Sequence, residues 1–355
     1  MHLSLHPFTL KLREPFRISY ESRDQQEILV VQLSDEDADG NKIAGFGEST
    51  ENNYYGVSIA RMQTELMALR EAVENYVLAN EIRPTGEVGT PEHLWQTFQP
   101  HLRNSPFALC ALDIAAHDLY GKKVGQPLYQ LWGLNPAQAP ISNYTIGIDR
   151  IEVMVRKLRD TRWPIYKIKL GTSEDLGIIR ELRKHTDAVF RVDANCAWGV
   201  EETIKNSGEL KKLGVEFIEQ PLPADQLEGM REVMRRSALP LMADESCISE
   251  ADVIQCVGHF HGVNVKLTKC GGLTPARRMI TEARQHGLKV MVGCMTESTV
   301  GISAIAHLAP LLDYVDMDGA LLLAEDVATG VAVTETGVEF PPVNGTGAQL
   351  LVSEA

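Results

Sequence analysis

The sequence predicts a (β/α)8-type TIM barrel with an α+β capping domain, and three observations lead to this fold class. Eight short apolar runs with strand character begin at residues 141, 165, 189, 216, 240, 263, 289 and 312. Successive starts lie about 23 to 27 residues apart, the length that one strand, one helix and two short loops require. Amphipathic segments separate the runs, and the two chain ends are patterned differently. Eight evenly spaced units favour a barrel over a doubly wound sheet.

The sequence patterns at the two ends of the chain predict the α+β capping domain. Residues 8–49 have the pattern of antiparallel strands with a turn at residues 37–41, where Asp, Gly and Asn are clustered. Helical segments follow at residues 58–81 and from Ser105 onward, and residues 329–340 again suggest a hairpin. No G-x-G-x-x-G motif follows the first strand-like run, which weakens the alternative of a doubly wound, dinucleotide-binding sheet. We therefore predict a capping domain at 1–120, a barrel at 121–320 and a C-terminal segment at 321–355 that returns to the cap.

Composition restricts the partners. The 355 residues carry a formal net charge of −14, which argues against nucleic acid and anionic membranes as partners. No apolar run approaches the length of a membrane span, and the first residues lack the apolar core of a signal peptide. The six cysteines are scattered and include no C-x-x-C pair. We therefore expect a cytoplasmic protein that acts on a small molecule and forms a homo-oligomer.

Three carboxylates occupy equivalent positions on neighbouring strands. Asp193, Glu219 and Asp244 lie at the C-terminal ends of the third, fourth and fifth runs, where the active sites of (β/α)8 barrels are located. Converging carboxylates repel one another unless a cation lies between them. A site made only of oxygen ligands suits Mg²⁺, with Mn²⁺ as a substitute. These residues are therefore the predicted metal ligands.

Lysines are placed where they can serve as bases. Lys167 and Lys169 are separated by one residue on the second run, so their side chains point to the same face. Lys266 ends the sixth run, four strands away in a ring of eight, so it faces Lys169 across the barrel mouth. This arrangement indicates proton removal and return at a carbon next to a carbonyl, with a metal stabilising the resulting enolate oxygen.

Together these motifs resemble the enolase superfamily, and within it the muconate lactonizing enzyme subgroup. The segments that carry the resemblance are KIK at 167–169, DAN at 193–195, EQP at 219–221, DES at 244–246, KLTKCGG at 266–272 and the helical stretch at 111–133. The resemblance extends over nearly the whole chain and implies a modified (β/α)7β barrel between the two parts of the cap. It also implies that Lys169 and Lys266 are the acid/base pair, that Lys167 contacts the substrate carboxylate, and that Lys269 is a helper on the loop that contributes to substrate binding.

A pair of aspartates indicates the reaction within this subgroup. Asp316 and Asp318 lie at the end of the eighth run and, with one residue between them, face the same way. The pair resembles that of the dipeptide epimerases, where two such carboxylates receive the free α-ammonium group of the substrate. The resemblance implies an isomerase that inverts the α-carbon of the second residue of a dipeptide by two-base 1,1-proton transfer through an enediolate.

Other residues bear on the substrate side chain. In the Ala-Glu epimerases an arginine in the first cap loop meets the glutamate side chain, and Glu21 occupies the corresponding position here. We therefore expect a hydrophobic or cationic second residue rather than glutamate. Tyr54 and Tyr55, in the ENNYYG loop, are expected to close over the site from the cap. Met295 and Thr296, at the end of the seventh run, are expected to line the side-chain pocket.

Three alternatives remain open from the sequence. An N-succinylamino acid racemase or o-succinylbenzoate synthase of the same superfamily would use the same lysines and metal but would not need the aspartate pair. A Schiff-base aldolase on the same barrel would form a covalent adduct and work without metal. A metal-binding barrel kept as a scaffold is the third alternative, and the complete set of bases and carboxylates argues against it.

Overall fold

The computed structural model of the protein describes residues 1–351. The chain begins with a three-stranded antiparallel sheet in the order β1-β2-β3, formed by β1 (His2–Arg17), β2 (Ser22–Glu36) and β3 (Lys42–Thr50). The turn predicted at 37–41 is confirmed: the Asp37 side chain accepts hydrogen bonds from the backbone N–H groups of Asp39 and Asn41. Alternation along β2 directs Leu29 and Val31 to the cap helices, and Ile28 and Val30 to the C-terminal segment.

Helices cover the inner side of this sheet. They are α1 (Ile59–Ala68), α2 (Arg70–Glu74), α3 (Pro91–Leu102), α4 (Pro106–Lys123) and the short α5 (Leu128–Leu131), followed by a 3₁₀ turn at Pro136–Gln138. Helix α4 is buried along almost its whole length because it lies between β3 and the barrel. A Cβ at Gly45 or Gly47 would overlap the α4 backbone, so these glycines allow the close approach. The helix predicted through residue 81 ends earlier, because residues after Glu74 turn so that Leu78 enters the core.

Eight parallel strands, hydrogen-bonded in chain order, form the barrel. They are β4 (Tyr144–Ile146), β5 (Ile165–Lys169), β6 (Val189–Asp193), β7 (Val215–Glu219), β8 (Leu241–Ala243), β9 (Gly262–Val265), β10 (Lys289–Gly293) and β11 (Tyr314–Asp316). The helices between them are α6 (Ile151–Thr161), α7 (Asp175–Arg183), α8 (Val200–Lys212), α9 (Leu227–Arg236), α10 (Glu250–Cys256), α11 (Leu267–Cys270), α12 (Leu273–Gln285) and α13 (Thr299–Leu308). All eight predicted strands are confirmed. Only 3₁₀ turns at Ala309–Leu311 and Gly319–Leu322 flank β11, in agreement with the (β/α)7β form.

The C-terminal segment returns to the cap, as predicted. Short strands β12 (Ala328–Thr329) and β15 (Gln349–Leu350) pair with each other, and β13 (Ala332–Thr334) and β14 (Gly337–Glu339) form the predicted hairpin. The Asp118 side chain of α4 accepts a hydrogen bond from the backbone N–H of Thr346 at 2.7 Å, which ties this segment to the cap. The domain boundaries remain a prediction, and residues 352–355 lie outside the described part of the chain. Within residues 1–351, no helix is long and apolar enough to cross a membrane.

Candidate active site at the mouth of the barrel

The three predicted metal ligands converge at the C-terminal end of the barrel. Asp193 and Glu219 end β6 and β7 and are paired in register, and Asp244 directly follows β8. One oxygen of each carboxylate lies within 4.8 Å of the others, and all three side chains are buried. Burial and the charge of Asp193 raise the pKa of Glu219 to about 8. Burial also raises the pKa of Asp244, but Lys266 and Lys269 outweigh it, and the net result is well below the ordinary value.

The lysines lie against these carboxylates. The Lys169 ammonium is 2.7 Å from Asp193 Oδ2, and the Lys266 ammonium is 2.9 Å from Asp244 Oδ2. They stand on the first and last of five consecutive strand positions, β5 to β9, and line one common cavity. Burial lowers the pKa of Lys266, but the charge of Asp244 outweighs burial and raises it well above its ordinary value. A group bound between the two lysines would therefore meet one of them on each face.

The charges of this region fit a divalent cation. Six buried carboxylates and four ammonium groups lie together: Asp193, Glu219, Asp244, Glu245, Asp316 and Asp318 with Lys167, Lys169, Lys266 and Lys269. With all of them ionised, the excess is two negative charges, which one divalent cation would neutralise. One Glu245 oxygen and the Asn195 side-chain oxygen are buried without a hydrogen-bond partner. An oxygen-only ligand set of this kind suits Mg²⁺.

Asp316 and Asp318 line the same cavity next to the first barrel strand. Asp316 accepts hydrogen bonds from Lys167 at 2.8 Å and from the side chain of Asn143 at 2.7 Å. Asp318 accepts from the backbone N–H of Thr145 and, at 3.2 Å, from its hydroxyl. Burial and the neighbouring Asp316 raise the pKa of Asp318 to about 7. Two carboxylates that open into a cavity can receive an ammonium group.

The loops that follow β6 and β7 contain residues in the left-handed backbone conformation. Three non-glycine residues with positive φ follow β6 and β7 directly: Asn195 (43°), Cys196 (65°) and Gln220 (33°). The side-chain oxygen of Gln220 accepts from the backbone N–H groups of Asp244 at 2.9 Å and Ser246 at 3.1 Å. The EQP motif therefore fixes the loop that presents the next carboxylate. Strained conformations of this kind are typical of functional sites.

The cap supplies the outer wall of the cavity. Glu21 lines the cavity from the cap, and Met295, Thr296 and Lys167 line it from the barrel. Tyr54 does not line it: the ring lies tilted against Tyr20 and edge-on to Tyr55, at centroid distances of 5.3 and 4.9 Å, and the residue is 49% exposed. Its role as a direct substrate contact is thus not supported by the geometry.

Lys269 also lies away from the cavity. Its ammonium donates to Asp244 Oδ1 at 2.7 Å and to the carbonyl of Cys247 at 3.1 Å, behind the metal-ligand loop. The prediction that it contacts substrate is corrected to a structural contact with Asp244, because α11 directs the side chain under that loop.

Several lining residues were not predicted from the sequence. They are Phe16, Ile18, Tyr20, Arg23, Asn52, Thr145, Asn195, Glu245, Cys294, Gly319 and Leu322. Asn195 belongs to the DAN motif and Glu245 to the DES motif, so the sequence held a signal for these two. Tyr55, named with Tyr54 from the sequence, does line the cavity. Arg23 pairs with Glu21 and Gln26 within the cap loop. Such a pairing has no repeating pattern in the sequence from which it could have been predicted.

Comparison with known proteins agrees with this geometry. Residues 150–354 match the family described as enolase C-terminal domain-like. Residues 4–133 match the N-terminal domain of the mandelate racemase / muconate lactonizing enzyme family. An L-Ala-D/L-amino acid epimerase of Flavobacterium johnsoniae is 57% identical over 351 residues, which cover 99% of this chain and 100% of that protein.

Solved structures give the same result. The substrate-liganded L-Ala-D/L-Glu epimerase of Bacillus subtilis superimposes with a TM-score of 0.87 at 25% identity, covering 98% of each chain. A dipeptide epimerase of Enterococcus faecalis, complexed with Mg and the dipeptide L-Leu-L-Tyr, superimposes with a TM-score of 0.85 at 28% identity, again covering 98% of each chain. The agreement extends over cap and barrel together.

Proposed function

The chain belongs to the enolase superfamily, and on that premise we propose that it is a Mg²⁺-dependent dipeptide epimerase that inverts the α-carbon of the second residue. One observation carries the proposal. The aspartate pair Asp316 and Asp318 opens into the same cavity as two lysines that stand on opposite sides of the barrel mouth. The aspartate pair suits the free ammonium group of a dipeptide, and the two lysines suit the acidic C–H next to its carboxylate.

In this proposal, each residue of the site has a separate role in binding or proton transfer. Lys167 binds the substrate carboxylate, and the aspartate pair binds the ammonium group, so the α-carbon of the second residue lies between Lys169 and Lys266. One lysine, as the neutral amine, removes the α-proton and becomes the ammonium, which leaves an enediolate. The other, initially an ammonium, donates a proton to the opposite face, and the configuration is inverted. Mg²⁺ held by the three carboxylates described above would stabilise the negative charge that develops on the substrate carboxylate.

The cap loop supports a hydrophobic or cationic second residue. Arg23 is already paired with Glu21 and Gln26, so it offers no free guanidinium to an acidic side chain. Phe16 and Ile18 add apolar surface to the same wall of the cavity. A cationic side chain could instead pair with Glu21. An acidic side chain would have to displace Glu21 from Arg23, which costs the existing ion pair.

Hydrogen exchange in D₂O tests the proposal directly. A pooled library of L-Ala-L-Xaa dipeptides is incubated with enzyme and Mg²⁺, and mass spectrometry records which members gain one mass unit. We expect gain in hydrophobic or cationic members, no gain with chelator, and none with Lys169→Ala and Lys266→Ala together. Exchange only in N-succinyl amino acids would instead establish the racemase alternative.

Further expectations accompany this function. We propose that Mn²⁺ replaces Mg²⁺, because the oxygen ligands suit both ions. The six cysteines are all unpaired, which supports a reducing, cytoplasmic environment. The homo-oligomer stays a prediction, which light scattering of the purified protein tests. So do the domain boundaries at 120 and 320, which limited proteolysis tests.

A further inference from the structure

Asp316 and Asp318 differ in their surroundings. Both oxygens of Asp316 are already engaged inside the barrel, by the Lys167 ammonium at 2.8 Å and by the Asn143 amide at 2.7 Å. The oxygens of Asp318 accept only from Thr145, and among the described residues no basic side chain forms an ion pair with it. Only Asp316 therefore has a cation that an arriving ammonium group would have to replace.

Lys167 joins the two halves of the site. Its ammonium lies 2.8 Å from Asp316, 2.8 Å from Glu219 and 3.1 Å from Asp193. The side chain is 1% exposed, so water does not screen these contacts. One ammonium with three N–H donors thus bridges the predicted ammonium site and two of the predicted metal ligands.

We propose that the ion pair between Lys167 and Asp316 couples the two ends of the substrate: the substrate ammonium replaces Lys167 at Asp316, and Lys167 is thereby released to the substrate carboxylate. The inference rests on the proposed function and deepens it, because it makes the free amine part of catalysis as well as of binding. The replacement is electrostatically matched, since one ammonium leaves Asp316 as another arrives. A substrate without an ammonium group leaves Lys167 attached to Asp316.

If the coupling exists, substitutions of the two aspartates have different effects that can be measured. Asp316→Asn removes one of the three carboxylate charges that hold Lys167. With Mg²⁺ saturating the other two, Lys167 is then released without help from the substrate. Asp318→Asn removes an ammonium acceptor but leaves Lys167 attached to Asp316. Asp318→Asn is therefore the matched control, because it makes the same chemical change two residues away.

The experiment compares a dipeptide with its des-amino analogue. The L-Ala-L-Xaa that exchanges fastest in the library and the corresponding N-propionyl-L-Xaa differ only in the ammonium group. For wild type we expect kcat/KM for α-proton exchange at saturating Mg²⁺ to be about 100-fold lower with the analogue. Asp316→Asn should raise exchange of the analogue about 10-fold above wild type while lowering that of the dipeptide. Asp318→Asn should lower exchange of the dipeptide and leave the analogue unimproved.

A second measurement needs no turnover. In Asp316→Asn, Lys167 rests on Asp193 and Glu219 alone and competes with the cation there. Calorimetric titration of Mg²⁺ into the metal-free protein should then show affinity weakened about 5-fold or more, against less than 2-fold for Asp318→Asn. Circular dichroism melting curves verify that both variants are folded.

The outcomes separate this inference from the proposed function. Equal behaviour of the two variants in exchange and in Mg²⁺ affinity would overturn the coupling while leaving the epimerase intact. Loss of analogue exchange in Asp316→Asn would also overturn it, since a released Lys167 should favour the analogue. If wild type exchanges no free-amine dipeptide at all, the proposed function fails first. The Mg²⁺ titration then still decides whether Asp316 holds Lys167 away from the metal ligands.

Discussion

Two groups of buried carboxylates in this molecule have different partners. At the barrel mouth, Asp193, Glu219 and Asp244 pair with lysine ammonium groups. At the seam where the cap meets the barrel, Glu48 and Glu297 lie equally buried, but their hydrogen-bond donors are backbone N–H and hydroxyl groups. Both groups are buried carboxylates, and they differ in the groups that donate to them.

The donors of the seam are fixed in place. Glu48, from β3, accepts from the Ser298 N–H at 2.9 Å, the Gly301 N–H at 3.3 Å and the Ser298 hydroxyl, at the N-terminus of α13. Glu297 accepts from the Met295 N–H at 2.7 Å. Burial and the charge of Glu297 raise the pKa of Glu48 to about 8, and burial raises that of Glu297 to about 7.

The difference shows which buried acids can do chemistry. A lysine ammonium at the end of a flexible side chain can leave its carboxylate when a metal or a substrate group replaces it. A helix N-terminus cannot move away without unfolding the first turn. Burial and a shifted pKa are thus common to both regions, and only exchangeable cationic partners mark the mouth as functional.

The largest expected effect is the loss of a base at the mouth. Lys169→Ala and Lys266→Ala should each lower kcat for epimerisation by about 10³-fold or more, because each removes the acid/base that we propose for its face of the substrate. The free energy of unfolding should change little, since the partner carboxylates keep Lys167 and Lys269. Chiral chromatography of the dipeptide measures inversion, and urea denaturation measures stability. Retained inversion in either variant would contradict the two-base arrangement.

The charged strand ends at the mouth could be predicted from the sequence, whereas the contacts of the seam could not. Apolar runs that end in an acid or a lysine repeat once in each barrel unit, so their period revealed both the strands and the convergence of Lys167, Asp193 and Glu219. Glu48 gave no such signal, because its partner Ser298 lies 250 residues away along the chain and the contact depends on how the cap docks.

The cap loops were predicted least well for the same reason. Glu21 was predicted from an ungapped match, but its pairing with Arg23 depends on the turn that the Ile18 N–H closes onto the Glu21 carbonyl at 2.9 Å. Tyr54 and Tyr55 are neighbours in sequence, and backbone direction alone decides which one lines the cavity. Lys269 was misplaced because a one-turn helix, α11, directs it beneath Asp244.

The second prediction concerns the cation at the mouth. Glu219→Gln should weaken Mg²⁺ binding by about 100-fold, because it removes a charged ligand and leaves an amide beside Lys167. Calorimetric titration of the metal-free protein measures the affinity. Glu48→Gln is the matched control from the seam and should leave Mg²⁺ affinity unchanged within 2-fold. A comparable loss of Mg²⁺ affinity in both variants would contradict the assignment of the metal site to the mouth and not to the seam.

The third prediction uses pH to probe the seam. The pKa of Glu48, about 8 in the folded state against 4.5 as its ordinary value, means that the folded protein binds a proton that the unfolded chain has lost. Stability should therefore fall as pH rises from about 5 to about 8, by at most about 1.4 kcal/mol per pH unit for one such group. In Glu48→Gln this fall should be clearly shallower.

Urea denaturation at several pH values measures the slope. The variant Glu228→Gln changes an 83% exposed side chain and should retain the slope of wild type. An unchanged slope in Glu48→Gln would mean that another group, with Glu297 the first candidate, carries the proton.

The smallest expected effect lies at a second contact of the seam. Asp113, on cap helix α4, accepts from the backbone N–H of Thr274 at 2.9 Å and from its hydroxyl at 2.7 Å, and so caps α12 of the barrel. Asp113→Asn keeps an acceptor for the N–H and should cost about 1 kcal/mol of unfolding free energy, and Thr274→Val about the same. Because the two changes remove one shared hydrogen bond, the double variant should cost less than the sum. Additive losses of unfolding free energy in urea denaturation would show that the two side chains act independently. An unchanged kcat in each variant would show that this contact serves stability, like the rest of the seam, and not the reaction at the mouth.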